Sequence, residues 1–290
     1  MENLIKRLKE LEERHRAPNG QEYRGLSLKS VEVVAKEFNL SKKEVEFTAL
    51  KNEIVPLRYQ RNIGTIGMKG QIKLLKSTVA VIGAGGLGGG IIELLARQGI
   101  GHIIIADNDR FTESTLNRQL MSTEKDIGKY KAQIAADRVR SINSSLIVTS
   151  YTDTITKGNV KEVLKGADVV VDGLDLLPPR FMVAKAAKEL DIPFVYGAIA
   201  GFVGQAMTIF PEDEGLSLIY GKKKEYPQRG DEVTAGNPSA TPTMITSWQV
   251  QEVVKILTGI GRPLRNRLLY LDAKEGTAEI IDLKVGEKNG

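Results

Sequence analysis

Apolar residues in the first 55 positions recur at helical spacing. Leu4, Ile5, Leu8 and Leu11 fall on one face among alternating charges, which predicts an amphipathic helix over residues 2–16 that Pro18-Asn19-Gly20 breaks. A second helix is expected from about Ser27, with Val31, Val34, Ala35 and Phe38 inward and Asn39-Leu40 at its end. Ser41-x-x-Glu44 has the form of a capping box and opens a third helix through Val45 and Leu50. Pro56 marks the boundary between this helical module, residues 1–55, and a larger domain, residues 56–290.

The pattern then changes to short apolar runs alternating with amphipathic stretches. Glycines 64, 67 and 70 punctuate a link into a helix over 71–76. Strands are expected at 79–82, 102–106, 146–150, 169–171 and 194–197, and helices at 91–97, 129–143 and 178–190. This alternation predicts an α/β fold, a Rossmann-like, mainly parallel sheet with helices on both faces. Beyond Gly197 the order loosens. A more irregular part begins at 206–210, and residues 216–242, rich in Lys, Gly and Pro, read as a long mobile loop. A helix over 243–257 is expected to bury Ile245, Trp248, Val253 and Ile256, and strands at 268–271 and 278–283 with Gly276 between them close the chain.

The stretch over 78–90, TVAVIGAGGLGGG, organises the rest. A strand, a glycine turn and a helix in that order form a cradle for nucleotide phosphates. Glycine at 83, 85 and 88 lets the backbone approach a phosphate with no Cβ in the way, and the free N–H groups of the helix start face the anion. The spacing also satisfies G-x-G-x-x-G. The strand at 102–106 ends in Asp107, placed to bind ribose hydroxyls. On these residues an adenine nucleotide is expected, and an NAD-dependent oxidoreductase stays open beside other reactions.

Composition narrows the chemistry. The 290 residues contain no cysteine and two histidines, His15 and His102, which excludes disulfides, thiolate zinc sites and a cysteine nucleophile. Reactivity must come from carboxylates, cations, backbone amides and a bound ion. The net charge of +5 suits an anionic partner, but the cations are dispersed, with only Lys222–Lys224 clustered. The two helices around residue 40 resemble a helix-turn-helix. The second of them balances Lys42, Lys43 and Lys51 against Glu44, Glu46 and Glu53, too little charge for a recognition helix, so nucleic acid is not the expected partner. No apolar run approaches the roughly 18 residues of a membrane span and the N-terminus lacks a signal-peptide pattern, so a cytoplasmic protein is expected.

After the cradle come Asp107-Asn108-Asp109-Arg110, Leu116-Asn117-Arg118-Gln119, Gly128-Lys129-Tyr130-Lys131 and Asp172-Gly173-Leu174-Asp175, the last followed by Arg180; Arg58-Tyr59-Gln60-Arg61 precedes it. Together these motifs resemble the ThiF/MoeB/HesA adenylyltransferases, relatives of the ubiquitin-activating enzymes, over about residues 57–285. The resemblance implies that Gly83, Ala84, Gly85, Gly86, Leu87 and Gly88 hold the phosphates of ATP and Asp107 the ribose. It implies that Arg118 and Lys131 neutralise the triphosphate and that Asp175 holds a magnesium ion. It further implies that Arg61 reaches a neighbouring subunit's site in a homodimer. Asp109 is open between ligand support and loop hydrogen bonding, as is Asp172, and Asn117 is secondary. Thr115 stands where many relatives carry asparagine, and its hydroxyl can still donate to phosphate. Many relatives hold zinc through two C-x-x-C pairs, so no zinc is expected here. The implied substrate is the C-terminal glycine carboxylate of a ubiquitin-like sulfur carrier with a Gly-Gly tail, for molybdopterin- or thiamine-type sulfur transfer. The small residues at 197–201 and 236–240 are candidate walls for that tail. A small-molecule, peptide or tRNA-base carboxylate is the alternative acceptor.

Overall fold

The structure, a computed structural model, describes residues 2–17, 19–223, 225–227 and 232–283. The N-terminal unit is helical only in part. Helix α1 (Glu2–Leu11) stops five residues before the sequence pattern suggested, and β1 (Glu13–Arg16) follows. Its sequence, ERHR, offers no apolar side chain to a helix face. Its backbone instead pairs antiparallel with β2 (Glu22–Leu26), and the His15 ring stacks on Tyr23 at 5.4 Å. Helices α2 (Leu28–Phe38) and α3 (Lys42–Lys51) start where their caps predict: Ser27 Oγ accepts from the Ser30 N–H, and Ser41 and Glu44 form the reciprocal box. Strand β3 (Ile54–Pro56) then lies parallel to β2, so the unit is a three-stranded sheet packed with three helices. Leu4, Leu8, Leu26, Val31, Val34, Val45 and Ile54 form its own small core.

Glu46 of α3 ties this unit to the larger domain. Its buried carboxylate accepts from Tyr59 Oη at 3.0 Å and Ser145 Oγ at 2.8 Å, and pairs with Arg58 at 3.5 Å. Asn143 closes the network by donating to Tyr59 Oη at 2.9 Å. Burial pushes the Glu46 carboxyl up, against the pull of Arg58, Ser145 and Tyr59.

Helix α4 (Gln60–Lys76) absorbs the expected glycine-rich link, with one non-helical residue, Gly67 at φ 65°. Next come β4 (Thr78–Ile82), α5 (Gly86–Gln98), β5 (His102–Ala106), α6 (Lys131–Ile142), β6 (Ile147–Tyr151), α7 (Val160–Leu164), β7 (Val169–Asp172), α8 (Leu177–Glu189) and β8 (Phe194–Ala200). The expected irregular part is a regular hairpin: β9 (Val203–Ile209) pairs with all of β8, from Phe194↔Ile209 to Ala200↔Val203. Two short helices, α9 (Ser217–Tyr220) and α10 (Glu232–Ala235), lie within the expected loop, whose residues 224 and 228–231 are outside the described residues. Helix α11 (Ala240–Thr258) begins earlier than expected and tolerates Pro242 in its first turn. Strands β10 (Arg267–Asp272) and β11 (Thr277–Asp282) end the described chain.

The large sheet has the order β11-β10-β9-β8-β7-β4-β5-β6. Strands β6, β5, β4, β7 and β8 are parallel, and β9, β10 and β11 run antiparallel to their neighbours. Alternation along β4 divides the core: Val79 and Val81 join α4, α5, α6 and α11 on one face, and Ala80 and Ile82 join α7 and α8 on the other. Helix α11 buries Ile245 and Val253 fully, whereas Trp248 is 37 % exposed, contrary to expectation, because polar Thr246, Gln249 and Glu252 share the inward face. Ile256 is only partly buried. The chain leaves β4 toward β5 on one side and returns to β7 on the other, so a crevice opens at the carboxyl ends of β4 and β7. Among the described residues no helix is long and apolar enough to cross a membrane.

Candidate active site

Two turns meet at that crevice through bare backbone. A Cβ on Gly83, which sits at φ 93°, would overlap the Gly173 carbonyl, and one on Gly88 would overlap the Gly83 carbonyl. Only glycine permits this approach of the β4–α5 turn to the β7–α8 turn. Helix α5 starts at Gly86 with no side-chain cap, so its first amides remain free for an anion. Asp107, at the end of β5, braces the turn: one carboxylate oxygen accepts from the Ala84 N–H at 2.7 Å, the other from the Asp109 N–H at 2.8 Å. Burial pushes its carboxyl up, while these N–H donors and Lys131 pull it back.

The cleft in front of the turn encloses about 1220 Å³. Gly83, Gly85, Gly86, Leu87, Asp107, Asp109, Arg118, Lys131 and Asp175 all line it, so the structure brings together the cradle, two cations and three carboxylates from distant parts of the chain. Lys131, the first residue of α6, is 6 % exposed, and its Nζ pairs with Asp109 at 2.9 Å. Arg118 lies over Gly86 and donates to the Ser114 carbonyl at 3.0 Å and Asn117 Oδ1 at 2.8 Å. Asp175 is exposed in the turn after β7.

Other expected residues fall elsewhere. The Thr115 hydroxyl donates to the Thr112 carbonyl at 2.6 Å and accepts its N–H at 3.1 Å, capping a 3₁₀ turn. It is buried and does not line the cleft, and its hydroxyl is engaged within its own turn. Asn117 is exposed and donates to the Asn237 carbonyl at 3.1 Å. Ala84 and Gly88 act through the backbone of the turn and do not line the cleft. Arg61 is exposed in the first turn of α4, outside the cleft of its own chain.

Sequence reasoning left Asp172 open, gave Arg180 no role, and did not single out Gln119, Gln205 or Tyr270. Asp172 is fully buried and pairs with Arg180 at 2.6 Å; Arg180 also bonds the carbonyl of Leu174 and, at 3.4 Å, that of Gly197. Asp172 keeps Arg180 firmly protonated against the cost of burial, and burial raises the Asp172 carboxyl in turn. Gln119, Gln205 and Tyr270 line the cleft. Gln205 and Tyr270 face one another across the β9–β10 register, a pairing that becomes visible only once the antiparallel strands are aligned. Ala198, Ile199 and Ala200 of β8 and Asn237 also line the cleft. The Gly201 N–H bonds the Gly236 carbonyl at 2.7 Å, joining the two expected walls.

The sequence pattern of the ThiF family matches residues 59–289. The chain belongs to the ThiF family. It is 37% identical over 226 residues to the SAMP-activating enzyme E1 of Haloferax volcanii, covering 77% of this chain and 84% of that one. It is 34% identical over 233 residues to the sulfur carrier protein adenylyltransferase of Thermus thermophilus, covering 78% and 86%. Bacillus subtilis sulfur carrier protein ThiS adenylyltransferase is 37% identical over 207 residues, covering 70% and 61%. Among solved structures, Escherichia coli MccB with ATP shares the fold at TM-score 0.67 and 21% identity, covering 89% of this chain and 83% of that one. Family membership decides between the reactions that the glycine turn left open: the chain is an adenylyltransferase.

Proposed function

We propose that the protein adenylylates the C-terminal glycine carboxylate of a ubiquitin-like sulfur-carrier protein, consuming ATP and releasing pyrophosphate. The observation that carries this reading is that one cleft is lined both by the glycine turn at the uncapped start of α5 and by Ala198, Ile199 and Ala200 of β8. Ala198 and Ala200 leave room for an extended Gly-Gly tail beside the backbone, and the relatives named as sulfur-carrier adenylyltransferases support that acceptor.

The chemistry follows from the charges present. A glycine carboxylate is ionised at neutral pH and needs no general base. Its approach to the α-phosphorus brings two anions together, so the work lies in neutralising charge. Lys131 and Arg118 stand on the cleft wall for that purpose, and the start of α5 supplies backbone donors. Asp107 takes the ribose hydroxyls on its remaining lone pairs. Among the described residues no three metal-ligating groups cluster. The lone, exposed Asp175 nevertheless fits a magnesium ion that arrives with the triphosphate, since magnesium takes one or two carboxylates and fills its other positions with phosphate and water. Bound there, the ion would add positive charge to the phosphates. Arg61, outside its own cleft, acts in the neighbouring site of a homodimer. With no cysteine in the chain, any later sulfur transfer uses another protein's thiol.

The test is exchange of labelled pyrophosphate into ATP, with and without small proteins ending in Gly-Gly. Exchange that needs such a carrier is the expected result. Exchange driven instead by a peptide or small carboxylate, with every carrier inert, would replace the carrier with that acceptor. Mixing Arg61→Ala with Lys131→Ala subunits should restore part of the exchange. No recovery in dimers shown to be mixed would remove Arg61 from the neighbouring site.

A further inference from the structure

Gln119 stands out on the cleft wall because the protein fixes its backbone and leaves its carboxamide unused. Its N–H bonds the Thr115 carbonyl at 3.0 Å, and its own carbonyl accepts from Ser122 N–H at 3.0 Å and Ser122 Oγ at 2.8 Å. The side chain is 5 % exposed, and its Oε1 is closed off with no hydrogen-bond partner among the described residues. Its nitrogen lies 3.6 Å from the place a Cβ would occupy on Gly85, at the start of the free amides of α5. Arg118, the preceding residue, lies over Gly86, the next position of the same turn. A buried carboxamide oxygen without a partner opposes folding unless something else calls for the side chain.

We propose that Gln119 is a nucleotide ligand, its amide N–H₂ donating to a phosphate oxygen of ATP seated on the Gly85–Gly86 turn. A phosphate oxygen only accepts, so the amide nitrogen is the end that it takes. The neutral donor adds direction where Arg118 and Lys131 add charge. The proposal rests on the ATP-dependent reading but not on the carrier: a wild-type enzyme that binds ATP and ignores every carrier overturns the acceptor alone.

The experiment measures binding of ATP and of adenosine to the full chain, together with thermal melting, for wild type, Gln119→Met and Gln119→Glu. Methionine keeps the length of the side chain and removes the unpaired polar atoms. Gln119→Met should therefore melt no lower than wild type, bind ATP about tenfold or more weakly and bind adenosine unchanged. Gln119→Glu should lose more ATP affinity at pH 7, where it opposes the phosphate, again with adenosine unchanged. Wild-type ATP affinity in both variants would overturn the assignment. So would a parallel fall of ATP affinity, adenosine affinity and melting temperature, which would make Gln119 a packing residue.

Discussion

Asp172–Arg180 and Asp109–Lys131 are ion pairs of nearly equal length, 2.6 Å and 2.9 Å, set on neighbouring parts of one cleft. Their surroundings differ. Both side chains of the first are enclosed, at 0% and 5% exposure, and Arg180 also donates to the carbonyls of Leu174 and Gly197 and to the Tyr220 hydroxyl. In the second, Lys131 is enclosed but its partner is 66% exposed. Solvent or an arriving phosphate can compete with Asp109 for the ammonium, whereas nothing can reach Asp172. A pair with every bond satisfied holds the sheet's parallel strands to the wall of the cleft. A pair with one partner in water keeps a buried cation ready to exchange its anion.

Breaking the enclosed pair should have the largest effect. Arg180→Ala strands a buried carboxylate and should cost about 3–5 kcal/mol of stability by denaturant unfolding. A loss under about 1 kcal/mol would mean that the pair does not brace the fold. Lys131→Ala should do the reverse, lowering pyrophosphate exchange by on the order of 10²-fold or more with unfolding unchanged. Retained exchange would take Lys131 out of the chemistry. Gly88→Ala tests the contact of the two turns beneath both pairs: its methyl meets the Gly83 carbonyl, and overpacking of this kind costs about 1–3 kcal/mol. Unaltered stability and nucleotide affinity would show that the turns have room to part.

The smallest effect concerns a third enclosed carboxylate, far from the cleft. Burial raises the Glu46 carboxyl above its unfolded value, so its contribution to stability is full below the unfolded pKa and is lost as pH rises through the folded one. Glutamine does not titrate. The stability of Glu46→Gln relative to wild type should therefore improve from pH 4 to pH 7 in denaturant titrations. A shift toward wild type would mean that Arg58 outweighs burial.

The contrast between the pairs also marks what the sequence could show. The glycine turn, Asp107, Arg118, Lys131 and Asp175, which the fold gathers on one cleft, were legible because each sits in local geometry that a sequence displays: a strand end, a helix start, a turn. Asp172 was visible but ambiguous, since its meaning depends on Arg180 folding back eight residues later and on Gly197 across β8. For Thr115 the sequence could not show that its hydroxyl bonds within its own turn, to Thr112. Strand β1 and the β8–β9 hairpin escaped for a related reason. ERHR has no apolar periodicity and is a strand only because β2 offers a backbone partner, and glycines 197, 201 and 204 blur an alternation that their neighbours make regular. Trp248 was assigned inward on hydrophobicity, while tertiary contacts gave that face to Thr246, Gln249 and Glu252.

The most direct measurement is a crystal structure with a non-hydrolysable ATP analogue. The account predicts phosphates on the amides at the start of α5, Lys131 Nζ moved from Asp109 to a phosphate oxygen, and Arg180 still on Asp172. A nucleotide bound elsewhere, or one seated in the cleft with Lys131 still paired to Asp109, would contradict it.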